Sequence, residues 1–206
     1  QKALEKTLPY VDIFLPSVEE IAYMLDRELF YKRKKQAEIE DPVYVYTPED
    51  VMALADKMLD MGVKIAAIKN GIRGYYLRTA DKSKFIDSDL NDITDTDNWS
   101  GRELWAGSYK AEVFGSATGA GDATIAGFLA GLVKSHTPEK SLKIANTVGW
   151  QNVRKFDTLS GIEDWQTTIK MAEDNTRKIN FVMEENNRWI FDEKNLMFIG
   201  PNDKRN

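Results

Sequence analysis

The strongest chemical signal in the sequence is a run of small residues that ends in an aspartate. Residues 115–122 read Gly-Ser-Ala-Thr-Gly-Ala-Gly-Asp, and an apolar helix is predicted to follow. Small residues let a backbone approach a ligand closely, and the first turn of a helix directs unpaired amides at one point. Such a point suits a phosphate, where Asp122 could accept a hydroxyl proton while amides of Gly119, Ala120 and Gly121 offset charge on a transferring phosphoryl group.

The same stretch also has a plainer interpretation. Gly119 and Gly121 can form a turn, Asp122 can cap the helix, and Gly127 and Gly131 can simply permit close helix packing. An isolated glycine-rich helix start does not separate these two interpretations.

Two earlier stretches carry further polar groups. Ser17 and Glu20 have the spacing of a capping box, in which each side chain satisfies an unpaired amide of the first helical turn. Residues 69–74 read Lys-Asn-Gly-Ile-Arg-Gly, an ordinary hairpin turn in which Lys69 and Arg73 could add positive charge toward phosphates.

These stretches together resemble the ribokinase-like carbohydrate kinase family, also called the PfkB family. Residues 119–122 and the Ala-Gly-Phe-Leu segment at 126–129 are similar to the second signature of that family at nearly every defined position. Residues 12–20 resemble the strand and helix start of its Pro-Asn-x-x-Glu element, and residues 69–74 resemble its turn with two glycines three apart. The three stretches follow one another in the order of the family, and the similarity spans roughly residues 10–161.

The resemblance implies an ATP-dependent sugar kinase with a ribokinase-like, Rossmann-type α/β/α sandwich fold, of which this chain is the C-terminal part. It implies that Asp122 is the catalytic base and that Glu20 helps to hold Mg²⁺ and the nucleotide phosphates. It also implies a nucleotide-binding role for a set of residues that comprises Ser17, Glu20, Lys69, Asn70, Gly71, Arg73, Gly74 and Asn146. Asn146 corresponds to a position near the adenine, although its side chain could equally face solvent.

The sequence departs from the family pattern at three positions. Ser116 and Ala117 replace an Asp and a Thr, and that Asp is a cation ligand in potassium-activated relatives. Ser17 replaces an Asn, and its shorter side chain would weaken contact with the phosphates. These differences argue against activation by a monovalent cation and leave open a non-catalytic nucleotide-binding or interaction module, or a structural domain without a nucleotide site.

The predicted elements place these residues in a single α/β domain, 1–206. Apolar runs predict strands at 10–15, 63–68, 75–77 and 109–114, and helical spacing predicts helices at 18–29, 47–62, 122–135, 137–153 and 165–183. Residues 80–108 are predicted to form an irregular or hairpin insertion. A terminal β-hairpin is predicted from 188–191 and 197–199.

Composition excludes several classes of function. The chain has no Cys and one His, which excludes disulfides, thiolate metal sites and His-rich zinc centres. With 28 Lys and Arg against 33 Asp and Glu, the net charge of −5 does not favour a nucleic-acid partner. No stretch approaches the length of a membrane span, and we expect a soluble, cytoplasmic protein.

The family's usual sugar-binding residues and β lid have no counterpart in the sequence. Because the chain also begins with Gln1 rather than Met, we expect a fragment of a longer kinase that is inactive by itself and meets its sugar or related acceptor through a missing N-terminal part. A truncated sheet would expose one edge, and we expect this edge to favour homo-oligomers.

Overall fold

The computed structural model describes residues 2–40, 44–86, 88–181, 183 and 188–205. Gln1 and part of the predicted final helix lie outside the described residues. The strands are β1 (Ile13–Phe14), β2 (Ile65–Lys69), β3 (Tyr75–Thr79), β4 (Glu103–Ala106), β5 (Ile190–Asp192) and β6 (Met197–Ile199). The helices are α1 (Lys2–Thr7), α2 (Val18–Leu25), α3 (Arg27–Gln36), α4 (Pro48–Asp60), α5 (Lys82–Ile86), α6 (Leu90–Ile93), α7 (Thr96–Trp99), α8 (Ala120–Val133), α9 (Pro138–Val153) and α10 (Trp165–Glu173).

The strands form one mixed sheet in the order β1-β2-β3-β4-β6-β5. β1 and β2 are parallel, and every other neighbouring pair is antiparallel. The predicted terminal hairpin is confirmed as β5 and β6, and it joins the central sheet through β4. β1 pairs only with β2 among the described residues, so it forms one edge of the sheet.

Helices cover both faces of the sheet. On one face, α2 and α4 bury Ile21, Leu54 and Met58 in a cluster that also contains Trp105. On the opposite face, residues of α8 and α9, including Phe128, pack with the alternate side chains of β2, β3 and β4. The predicted α/β/α architecture is therefore confirmed.

The helix starts follow the local signals in the sequence. Ser17 accepts from the Glu20 amide at 3.3 Å, and the Glu20 carboxylate accepts from the Ser17 amide at 2.7 Å, which completes a capping box. Thr47 and Asp50 form a second box before α4. The predicted helix at 18–29 is instead broken, because Asp26 ends α2 and its side chain caps α3.

Two central predictions are wrong. Residues 80–108 contain three short helices and the fully buried strand β4, whose polar Glu103 is buried because it accepts hydrogen bonds from Tyr76 and from the Asn202 amide. Residues 109–114 do not form a strand: Tyr109 makes one isolated bridge to Ile179, and Val113 and Phe114 are exposed.

The predicted last helix, 165–183, ends earlier than expected. α10 stops at Glu173, and the Asp174 side chain then accepts hydrogen bonds from the Thr176 amide and hydroxyl, which turns the chain. Among the described residues, no helix combines the length and apolar character needed to cross a membrane.

The C-terminal segment is tied to the fold by a buried charge network. The Arg102 guanidinium donates to Asp203 at 2.9 Å and to Glu139 at 2.6 Å, and Arg205 also pairs with Glu139. Burial raises the pKa of Glu139, but the attraction and hydrogen bonding of Arg102 outweigh it and leave that pKa below its usual value. The network joins β4, α9 and the chain end.

Candidate nucleotide site

A cleft of about 380 Å³ lies where the turn after β2, the segment after β4 and helices α8 and α9 meet. Its lining includes half of the residues predicted to bind a ligand, together with an apolar part that the sequence analysis did not identify. The predicted residues in the lining are Lys69, Gly71, Gly74, Ala120, Gly121 and Asn146, whereas the lining does not include Ser17, Glu20, Asn70, Arg73, Gly119 or Asp122. We call the region around Lys69 and the start of α8 the phosphate end. The base end is the region lined by Ile72, Tyr109, Phe114, Trp150 and Val153.

The glycine-rich stretch forms the start of α8. Gly119 is left-handed at φ 79° and precedes the first helical residue, Ala120. Asp122 lies in the first turn and is exposed, and its carboxylate makes no hydrogen bond or ion pair with any described residue. It therefore does not cap the helix in the way the plainer interpretation requires, and its carboxylate is free to contact a ligand.

Lys69 brings the predicted motifs together. A Cβ placed on Gly121 would lie 3.5 Å from the Lys69 Nζ, so the ammonium lies against the first turn of α8. Residue 69 also forms a parallel bridge with Ser17. Hydrogen bonds from Ser17, together with the charge of Lys69, hold the pKa of Glu20 below its usual value. Lys69 and the start of α8 thus share one end of the cleft, and Glu20 lies near Lys69 outside the cleft lining.

The turn requires glycine at residues 71 and 74 for different structural reasons. Gly71 is left-handed at φ 55° with open space around it. Gly74 has a φ of 92°, and a Cβ there would lie 2.0 Å from the carbonyl oxygen of Ala106. Gly74 therefore lets the turn pack directly on the segment after β4, and both glycines line the cleft.

The structure does not bring Arg73 or Asn70 into the cleft. The Arg73 guanidinium lies 5.0 Å from the Trp105 ring and 4.7 Å from the Phe181 ring, and it donates to the Tyr46 carbonyl. Burial lowers its pKa. Asn70 is also buried and donates to the Ile68 carbonyl. Because the turn directs these side chains inward, the sequence-based expectation that Arg73 adds charge toward phosphates is not met.

Asn146 lines the cleft from α9 rather than facing solvent. Its amide nitrogen donates to the carbonyls of Ala106 at 2.9 Å and Gly107 at 3.1 Å. Asn146 therefore fixes the chain as it leaves β4.

The aromatic base end was missed in the sequence because its members are far apart along the chain. Trp150 lies one helical turn beyond Asn146 on α9. This spacing is the one local sequence feature that could have linked Trp150 to the predicted site. The Trp150 ring lies 4.4 Å from the Arg154 guanidinium and 4.6 Å from that of Arg177, and Arg177 also lies 4.9 Å from the Tyr109 ring. These cations hold two of the rings in place.

No group of three or more His, Asp or Glu side chains with metal-binding geometry occurs in the described part of the chain. Glu20 is an exposed carboxylate beside Lys69, with one oxygen engaged by the Ser17 amide. Mg²⁺ is commonly held by one or two carboxylates together with substrate phosphates and water. Glu20 could therefore supply one protein ligand to such a cation, with the other ligands coming from phosphates and water.

Comparison with known proteins identifies the family of the chain. The family model of the pfkB family carbohydrate kinases matches residues 1–165, and the chain belongs to that family. An uncharacterized sugar kinase of Archaeoglobus fulgidus is 24% identical over 159 residues, which cover 77% of this chain and 46% of that protein.

Solved structures show the same fold. A ribokinase of Arabidopsis thaliana, crystallised with ribose and ATP, superposes with a TM-score of 0.57 at 17% identity, covering 82% of this chain and 43% of the other. An aminoimidazole riboside kinase of Salmonella enterica, crystallised with its riboside and an ATP analogue, gives a TM-score of 0.54 at 15% identity over 83% of this chain and 45% of the other. The chain thus spans less than half the length of these relatives.

Proposed function

We propose that this chain carries the nucleotide-binding and catalytic part of an ATP-dependent sugar kinase. The observation that carries the proposal is the position of Lys69, whose ammonium lies against the glycine-rich start of α8 and lowers the pKa of Glu20, while Asp122 has no partner among the described residues. Membership of the carbohydrate kinase family supports the same conclusion.

In the proposed reaction, Asp122 accepts the proton of a sugar hydroxyl. The hydroxyl oxygen then bonds to the γ-phosphorus of ATP, the bond from that phosphorus to the bridging oxygen breaks, and ADP leaves. Backbone amides at the start of α8 and the Lys69 ammonium offset the charge on the transferring group. Glu20 would hold Mg²⁺, which neutralises phosphate charge when bound.

The sugar acceptor is proposed to bind through polypeptide outside these 206 residues, because the chain spans less than half the length of its relatives. By this proposal the 206-residue chain binds nucleotide but does not turn over sugar efficiently alone. We propose a cytoplasmic location, where ATP is available.

The test is an Asp122→Asn variant of the natural gene product. ADP release across a panel of sugars is measured by a coupled assay, and ATP affinity by calorimetry. Removing the base should lower turnover by about 10³-fold while ATP affinity changes by less than about 3-fold. Asp60→Asn, at the exposed end of α4, is the matched control and should retain full turnover.

Equal turnover in Asp122→Asn would remove Asp122 from the mechanism. If the wild-type protein binds ATP but releases no ADP with any sugar, the non-catalytic nucleotide-binding module replaces the kinase. If ATP does not bind, neither nucleotide-dependent function stands.

A further inference from the structure

Residues 174–181, which we call the strap, run along the chain that leaves β4. The Lys110 amide donates to the Lys178 carbonyl at 2.9 Å, on the strap. The Asn180 amide, also on the strap, donates to the Ser108 carbonyl at 2.8 Å. The match to the family model ends at residue 165, so the strap lies outside the part of the chain that the family resemblance covers. The contacts of the strap in this chain are therefore the evidence for its role.

The strap is anchored at both of its ends. At the first end, Asn175 accepts a hydrogen bond from the Lys143 ammonium of α9 at 2.6 Å and donates to the Lys194 carbonyl in the terminal hairpin at 2.9 Å. At the other end, the buried Phe181 ring lies 5.1 Å from the Trp105 ring in the core on one face of the sheet. These anchors fix the path of the strap between α9 and the sheet.

Arg177, in the middle of the strap, lies against two aromatic rings that line the cleft. Its guanidinium is 4.9 Å from the Tyr109 ring and 4.6 Å from the Trp150 ring. Arg177 forms no ion pair with a carboxylate among the described residues, and its Nη1 has no hydrogen-bond partner there. Burial lowers the pKa of Arg177. Contact with the faces of the two rings is therefore what holds this guanidinium.

Trp150 is tied to the strap a second time through Lys110. The indole nitrogen donates to the Lys110 carbonyl at 3.0 Å, and the Lys110 amide in turn donates to the strap. The position of the indole ring thus depends on Arg177 and on the backbone with which the strap pairs. Arg177 does not itself line the cleft, so it acts on a ligand through the two rings.

We propose that Arg177 is a positioning residue of the nucleotide site, through which the C-terminal strap sets the spacing of the Tyr109 and Trp150 rings. This inference rests on the proposed function. The hydrogen bonds that leave the strap go to residues 108–110, α9 and the terminal hairpin among the described residues, whereas the phosphate end is formed by Lys69 and the start of α8. Loss of Arg177 should therefore weaken binding of a whole nucleotide and leave the phosphate end unaffected.

The experiment measures binding of ADP and of inorganic tripolyphosphate to variants of the 206-residue chain by calorimetry. Arg177→Ala should bind ADP about 10-fold more weakly than wild type, because the rings lose the cation that orders them, and tripolyphosphate affinity should change by less than about 2-fold. Arg177→Lys should recover ADP affinity to within about 3-fold of wild type, since an ammonium also makes cation–π contacts. Lys178→Ala removes the same charge from the next, exposed position of the strap and should bind both ligands as wild type does.

A second variant tests the strap away from the rings. Asn175→Ala removes both hydrogen bonds of the first anchor at an exposed position. It should weaken ADP binding about 3-fold without changing tripolyphosphate binding. Thermal melting identifies the folded variants, and Asn175→Ala keeps the test available if Arg177→Ala does not fold.

Wild-type ADP affinity in Arg177→Ala and Asn175→Ala would overturn the inference and leave the proposed nucleotide site intact. A parallel loss of ADP and tripolyphosphate affinity, or no recovery in Arg177→Lys, would also overturn it, because a general charge or folding effect would then account for the loss. If the wild-type chain binds neither ligand, the proposed function fails and this inference fails with it.

Discussion

Lys69 is the residue at which the separately predicted anion-binding motifs meet. Its side chain reaches the first turn of α8, and its charge contributes to the lowered pKa of Glu20. A hairpin-turn lysine in the sequence does not indicate this position, because the contact is made with residues about fifty positions away in either direction.

A Lys69→Met variant tests this position at the phosphate end. Loss of the ammonium should weaken tripolyphosphate binding about 10-fold, since hydrogen bonds to charged groups are stronger than neutral ones, and Lys69→Arg should recover part of the affinity. Titration calorimetry at two salt concentrations measures the effect. Lys84→Met, exposed on α5, is the charge-matched control. Equal losses in the two methionine variants would show a general charge effect rather than a contact.

The packing of α8 against α9 positions both ends of the cleft. The two helices approach closely because Gly127 and Gly131 lack side chains: a Cβ on Gly131 would lie 2.9 Å from the Cα of Ser141. Gly149 on α9 lies even closer to Thr124, whose hydroxyl would be 2.4 Å from an added Cβ. These close contacts at glycine set the position of α8 relative to α9, and therefore the position of Asp122 relative to Asn146.

Gly131→Ala should separate the helices at this contact. We expect a loss of about 1–3 kcal/mol in unfolding free energy, because an added methyl group has no space without backbone movement. Urea unfolding followed by circular dichroism measures the change. Ala126→Leu on the exposed side of α8 should alter the free energy by less than about 0.5 kcal/mol. An unchanged urea midpoint for Gly131→Ala would show that the helices can separate without loss of unfolding free energy.

At the scale of the whole molecule, β1 and β5 are the two edges of the sheet within the described residues. β1 has two residues and, within the described part of the chain, one neighbouring strand, which leaves one side of it without a strand partner. β5 carries the exposed side chains Ile190 and Phe191. Sheet edges of this kind pair with other chains, and we propose the β1 edge as the site of association.

Chromatography with light scattering should show dimers whose fraction rises with protein concentration. Phe14→Lys, in β1, should shift the chain toward monomer because a charge on an edge strand disfavours pairing, and it should also lower the melting temperature because Phe14 packs against the core. Ile190→Lys, on the opposite edge, is the matched control and should leave the dimer fraction unchanged; thermal melting checks that both variants fold. A wild-type chain that stays monomeric at all concentrations contradicts this proposal.

Local chemistry could be predicted from the sequence. The capping boxes at Ser17 and Thr47, the glycine-rich start of α8 and the terminal hairpin all follow from residues within a few positions of one another. The same locality made the family resemblance visible, and the fold and the family are both confirmed. The roles of the site residues stay predictions.

Only the tertiary structure decided which side of the chain each group faces. Glu103 lies in a buried strand because distant Tyr76 and Asn202 satisfy its carboxylate, and Arg73 turns inward because three aromatic rings receive its guanidinium. The amide nitrogens of Asn146 and Asn180 face the chain after β4 because they donate to the carbonyls of residues 106, 107 and 109, which are far from them in sequence. Caps and turns depend on neighbours along the chain, whereas burial and the direction of a hydrogen bond depend on groups that only folding brings together.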